Sequence, residues 1–333
     1  MSASVPDISV KSRRAFRLDL KTVGPLLALA LLVLLGISLN ENFLSYNNLT
    51  NVLARSSFIG IIAIGATFVI TAGGLDLSVG SMAAVTAGVM IIVMNALIPS
   101  MGVSVGVVLI GMLAGLAMGG AAGVGNGLMV TRGRIEAFIV TLGTMGIFRS
   151  LVTFLADGGT LSLNFNVADL YRPVYYSGIL GVPWPIIVFA LVAIGGEIVM
   201  RRTAFGRYCA AIGSNEQVAR YSSINVANVR LITYIMQGVL VGVAVLLYVP
   251  RLGSASSTTG VLWELEAIAA VIIGGTTLKG GYGRVWGTVV GVVILGLIGN
   301  ILNLQSFISP YLNGAFQGVI IILAVLLQRG RGN

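Results

Sequence analysis

The chain has 333 residues, 56% of them hydrophobic and only 9% charged, with a net charge of +9. Soluble domains carry about 25% charged residues, so this composition excludes an ordinary pair of soluble domains and indicates a single domain whose solvent is lipid. One cysteine, Cys209, excludes an intrachain disulfide, and the lack of histidine removes the commonest metal ligand and the usual general base. The 45 glycines fit helices packed closely through small residues.

In chain order, residues 1–22 form a basic tail with Lys11, Arg13, Arg14, Arg17 and Lys21. The apolar run 23–39 follows. It is longer than the core of a secretion signal, and Asn40-Glu41-Asn42 offers no small-residue cleavage site, so it reads as a retained first helix. A bilayer crossing needs about 20 apolar residues. Such runs place further spans near 57–73, 80–98, 103–130, 136–156, 183–200, 231–250, 264–276, 285–303 and 311–328, with a short tail at 329–333. The expected architecture is all-α and polytopic, with about ten transmembrane helices in one domain, 23–328. The eighth span is short and interrupted by Gly274-Gly275.

Charge tests this order. With the N-terminus inside, sixteen Lys and Arg fall in inner segments. Only Arg55, Arg172 and Arg251 fall outside, and Arg149 lies within the fifth span. That asymmetry follows the positive-inside rule, which also explains the net charge better than a nucleic-acid partner. Both ends are therefore expected in the cytoplasm.

Three features carry function. In Gly73-Gly74-Leu75-Asp76-Leu77-Ser78-Val79-Gly80-Ser81, two glycines end a helix and an acid precedes the next. Irregular backbone at membrane depth is tolerated only where protein or a watery cavity covers it, and an acid near a span is costly. Asp76 is expected to cap the following helix through the amide of Ser78 or Val79, or to touch a transport path with Gly74 and Ser78. The second feature is the inner segment 201–230. There Ser214 and Gln217 have capping-box spacing, and Glu216 and Arg220 are placed to pair at i, i+4. A polar helix this short is marginal alone, which calls for a partner; an ordinary solvated loop is the alternative. The third is Glu264 and Glu266 entering the eighth span from outside, followed by Gly274-Gly275 and a Gly-rich turn with Lys279 and Arg284. That turn lacks the spacing of a phosphate-binding loop. Gly115, Gly119, Gly123 and Gly127, with Gly287 and Gly291, are read as packing contacts.

These strings together resemble the ribose-type sugar permeases of ABC importers: Gly-Gly-Leu-Asp-Leu-Ser-Val-Gly-Ser at 73–81, Thr-Leu-Gly-Thr-Met at 141–145, Phe-Gly-Arg-Tyr at 205–208, Ala-Ile-Gly-Ser-Asn-Glu at 211–216 and Ala-Ile-Ala-Ala-Val-Ile-Ile-Gly-Gly-Thr at 267–276. The resemblance implies a type II importer permease pairing with a second permease subunit in the inner membrane. It implies a cytoplasmic ATPase that holds the ATP-Mg, no cofactor on this chain, and a periplasmic substrate-binding protein. It makes 201–230 a coupling segment, with Arg207, Gly213, Ser214, Asn215, Glu216, Ala219 and Arg220 toward the ATPase. Residues 157–182 become a periplasmic segment. Gly74, Asp76, Ser78, Gly274 and Gly275 are expected near the path or gate, and Glu264 and Glu266 at the docking surface for the binding protein. Ser214, Ser222-Ser223, Trp263 and Glu266 depart from the usual pattern. The expected function is import of a small neutral sugar, without catalysis by this chain; the alternative is a stand-alone secondary transporter or channel. No catalytic or metal-binding set is expected.

Overall fold

The computed structural model describes residues 20–304, 314–315 and 318–319. The chain runs through α1 (Leu20–Leu39), α2 (Tyr46–Thr71), α3 (Val79–Met101), α4 (Val105–Thr131) and α5 (Ala137–Leu155). A mixed segment follows: β1 (Thr160–Ser162), α6 (Phe165–Tyr171), α7 (Pro173–Tyr176), β2 (Gly178–Ile179) and β3 (Val182–Pro183). Then come α8 (Trp184–Arg202), α9 (Ala204–Ser214), α10 (Glu216–Tyr221), α11 (Val226–Leu252), β4 (Ser254–Ser256), α12 (Trp263–Ile273) and α13 (Val285–Leu304).

Among the described residues, seven helices are long and apolar enough to cross a bilayer: α2, α3, α4, α5, α8, α11 and α13. The apolar part of α1, Gly24–Leu39, is shorter. With 11 residues, α12 is about 16 Å long at 1.5 Å per residue, half of a hydrocarbon core. The eighth predicted span is thus a helix that enters the protein without crossing alone. The tenth predicted span is described only at 314–315 and 318–319, and the tails 1–19 and 329–333 lie outside the described residues. The second predicted span starts eleven residues too late. Ser45 caps α2 by accepting from the Asn48 amide at 3.3 Å, and the polar stretch that depresses hydropathy from Asn47 to Ser57 is helical.

α2 is the central helix, buried along most of its length, and its apolar side chains join those of α3, α8, α11 and α12 in one core. α4 and α11 approach backbone to backbone. A Cβ on Gly119 would strike the Gly238 carbonyl, one on Gly123 the Tyr234 carbonyl, and one on Gly238 the Gly119 carbonyl. α13 meets α12 in the same way, with Gly287 against Gly274 and Gly291 against the Ala270 carbonyl. The four-residue glycine spacing is therefore architectural, as expected. The perimeter exposes Leu31 and Leu34 of α1, Leu113 of α4 and Phe154 of α5, the surface a lipid-facing bundle presents.

Contacts assign the connections to two faces. Gly280 and Gly281 pack on Gly73, Gly213 and Ser214, the Gly281 amide donates to the Thr71 carbonyl at 3.0 Å, and Arg230 reaches the Ala72 carbonyl. These residues share a basic face. At the opposite face β1 pairs antiparallel with β4, Asn95 of α3 donates to the Ser162 carbonyl, and the Tyr46 hydroxyl donates to the Gly181 carbonyl. Among the described residues, the connections that reach Arg230 and those at β1 and β4 thus lie at opposite faces.

Candidate functional site

On the basic face the segment after α8 folds as two helices rather than a loop. Thr203 caps α9 by accepting from the Gly206 amide. Asn215, not Ser214, caps α10: its side chain accepts from the Val218 amide at 3.1 Å. The expected capping box is one residue out of register because Ser214 is still the last residue of α9. Glu216 then binds two arginines, Arg220 at 2.6 Å and Arg230 at 2.8 Å. The hydrogen bond from Arg220 holds its carboxyl below the usual carboxylate range, and the charge of Arg230 adds to this. Arg230, at the start of α11, also donates to the Ala72 carbonyl at 3.3 Å. A chain of polar contacts thus connects α10 to the end of α2. Burial pushes the thiol of Cys209 in α9 up to about 12.

The chain leaves α2 through Gly73, at φ 76, and turns back into the protein before α3 begins. Asp76 Oδ1 accepts from the Ser78 amide at 2.9 Å and its hydroxyl at 2.6 Å. Asn126 of α4 donates to the same hydroxyl at 2.8 Å, and the Tyr234 hydroxyl donates to the Leu75 carbonyl at 3.1 Å. The capping geometry expected of Asp76 is present for Ser78. Asp76 and Ser78 are buried, and Asp76 Oδ2 and Asn126 Oδ1 have no hydrogen-bond partner. An unpartnered buried acceptor costs about 1–3 kcal/mol, so this corner is held in place by its surroundings.

From the opposite face, residues 257–262 lead into α12. Leu262 is left-handed at φ 69, a conformation that bulky residues rarely adopt. Arg149 of α5 donates one nitrogen to the carbonyls of Ser257 and Thr259, both at 2.6 Å. This satisfies a guanidinium that membrane depth would otherwise penalise. Glu264 turns inward, with Oε2 buried against Gly80 at the start of α3. Glu266 instead lines a cavity of about 640 Å³ between the outer halves of α2 and α13. Asn48 and Asn300 close one wall of it with a reciprocal amide pair, at 3.1 and 2.8 Å.

The model of the family described as branched-chain amino acid transport system / permease component matches residues 48–325. The chain belongs to this permease family. It is 38% identical to the ribose import permease protein of Escherichia coli, over 96% of this chain and 98% of that one. It is 34% identical to the D-allose transport system permease protein of Escherichia coli, over 97% of this chain and 96% of that one, and 32% identical to the L-arabinose transport system permease protein, over 92% and 90%. An inward-facing metal-chelate type ABC transporter shares the fold, with a TM-score of 0.54 at 12% identity over 92% of this chain and 98% of that one.

The permease brings together some of the residues picked from sequence and separates others. In segment 201–230, Arg207, Ser214, Asn215 and Arg220 are exposed, whereas Ala219 is buried and Gly213 packs against the Thr71 carbonyl. The last two position α10 rather than face outward. Two exposed apolar residues of α10 were not among those picked from sequence: Val218 and Tyr221, 57% and 88% exposed, one turn apart. Their i, i+3 spacing was the available signal. Gly74 meets the Tyr234 hydroxyl, and Gly274 packs on Gly287. The inward Oε2 of Glu264 takes that oxygen away from any outer docking surface. The polar stretch Asn48, Asn51 and Arg55 was also missed, because it shortened the predicted span instead of marking a helical wall.

Proposed function

We propose that this permease subunit carries a small neutral sugar or sugar-like polyol inward across the bacterial inner membrane, with ATP hydrolysed by a separate subunit. The basic face is the cytoplasmic side by the positive-inside rule, and both termini are proposed to lie there. The relatives named for ribose, allose and arabinose favour a sugar over an amino acid. No cofactor is assigned to this chain; ATP-Mg belongs to the ATPase.

The observation that carries the reading is α10: a two-turn helix exposing Val218, Tyr221 and Arg220, tied through Glu216 and Arg230 to the end of α2. An exposed apolar pair on a short helix needs a partner, and the charge chain transmits a push on α10 to the Gly73–Ser78 turn. ATP binding shifts a two-state permease only if it favours one state, and this linkage supplies a place for that preference. The binding protein docks on the opposite face, and a second permease subunit completes the path.

The test is ATP hydrolysis by the reconstituted permease with its candidate ATPase, with and without loaded binding protein. Stimulation by one loaded binding protein is expected. Solute flux through the permease alone, with no stimulation by any partner, would replace the importer with a stand-alone transporter.

A further inference from the structure

Three stretches far apart in sequence meet backbone to backbone on the basic face: the end of α2, the corner between α9 and α10, and the loop 274–284 that joins α12 to α13. Gly280 packs on Gly73 and Gly213, Gly281 packs on Ser214, and the Gly281 amide donates to the Thr71 carbonyl at 3.0 Å. Gly280 and Gly281 hold φ 85 and 83, a backbone conformation that suits glycine alone. A Cβ on Gly213 would strike the Thr71 carbonyl and the Gly281 amide. The joint therefore depends on the absence of side chains.

The loop is braced although it has no regular structure. The Thr277 amide donates to the Tyr282 carbonyl at 3.2 Å, and its hydroxyl donates to the Gly280 carbonyl at 2.7 Å. The Arg284 amide donates to the Thr276 hydroxyl at 3.2 Å, and Gly274 lies directly on Gly287. The loop and α12 thus form one stiff piece. Its other end is buried, where Gly260, just before α12, packs on Gly80 at the start of α3. The ion pairs of Glu216 lead from α10 only to the end of α2. They run through partly exposed side chains that can change rotamer. Backbone packed on backbone has no rotamer to absorb a displacement, and close-packed contacts switch rather than stretch.

Resting on the importer reading, we propose that α12 and the loop 274–284 move as one body with the α9–α10 corner. Gly213, Gly280 and Gly281 are then positioning residues that carry the displacement made by the ATPase to the start of α3.

The experiment uses the full-length permease in lipid vesicles with its ATPase and binding protein. Gly213→Ala wedges the corner away from the loop. Thr277→Val leaves the contact in place and removes the hydroxyl brace. Both variants keep ATPase co-purification and ATP hydrolysis. Solute taken up per ATP hydrolysed falls at least about fivefold in Gly213→Ala, the lower end of couplings between distant sites. It falls at least about twofold in Thr277→Val, the equilibrium equivalent of one lost hydrogen bond. Hydrogen exchange gives a readout that a merely structural role leaves unmoved. A non-hydrolysable ATP analogue changes exchange in α9, α10, the loop and α12 together in the wild-type complex, and in Gly213→Ala the change stops at α9 and α10. An unchanged ratio of uptake to hydrolysis in Thr277→Val overturns the proposal, even where Gly213→Ala fails to fold. Loss of co-purification in step with uptake also overturns it, because the contact would then shape a docking face instead of carrying motion. So does a nucleotide-dependent change confined to α9 and α10 in the wild type. Wild-type vesicles with all partners that take up no solute would sink the importer reading instead, and hydrogen exchange still decides the joint.

Discussion

Ser223 shows how much one dihedral angle decides. It follows α10 at φ 60, the left-handed position where helices favour glycine, and it is exposed with no packing to justify a side chain. Ser223→Gly should stabilise the permease by up to about 1 kcal/mol, the order of the left-handed penalty; thermal unfolding in detergent measures it. Gly119 is the opposite case. Its α-carbon faces the Gly238 carbonyl directly, so Gly119→Ala should destabilise by about 1–3 kcal/mol through overpacking. Gly125, on the same helix, has nothing near a built Cβ. Gly125→Ala should be neutral or stabilising by about 0.5–1 kcal/mol, and a melt showing equal losses for both would deny the α4–α11 contact. The glycine spacing was legible in the sequence. Which glycine touches which carbonyl was not, because that depends on the crossing of two helices more than a hundred residues apart.

Among the elements, α10 is the one proposed to meet the ATPase. Val218→Asp and Tyr221→Asp should abolish co-purification of the ATPase while leaving the permease folded. Arg230→Ala should leave co-purification largely intact but uncouple hydrolysis from uptake, since it removes the link from Glu216 to the Ala72 carbonyl. Loss of co-purification in Arg230→Ala with coupling preserved would reverse these roles. The pair is half-exposed and worth about 0.2–1 kcal/mol in stability, so its importance is directional rather than energetic. The folded pKa of Glu216 lies below its ordinary value. Its contribution is therefore complete above the unfolded carboxylate pKa and is lost as pH falls through the folded one. Coupling should be flat across neutral pH and weaken only in acid. The sequence marked this segment as helical and polar, yet misplaced the cap by one residue, because Ser214 and Asn215 are both good caps and only the length of α9 chooses between them.

For the whole molecule, the half-length α12 and the turn at Asp76 meet inside the bundle, and Arg149 fixes the approach to α12. Arg149→Met should strand the carbonyls of Ser257 and Thr259 at about 1–3 kcal/mol each. It should lower uptake through the intact complex more than it lowers ATPase docking. Equal loss of both would make Arg149 a general fold residue.

The motif strings indicated the permease family by resemblance, while hydropathy, basic-residue alternation and glycine spacing indicated, without any coordinates, a multi-pass membrane protein packed through small residues. Those signals arise from partitioning between water and lipid, and partitioning acts on each segment separately. Tertiary structure alone decided that residues 46–56 are helical wall rather than loop, that Glu264 turns inward while Glu266 lines a cavity, and that Glu216 reaches Arg230 as well as Arg220. In each case the same side chain is costly against lipid and favourable against a polar neighbour. Only the packing of distant helices supplies that neighbour.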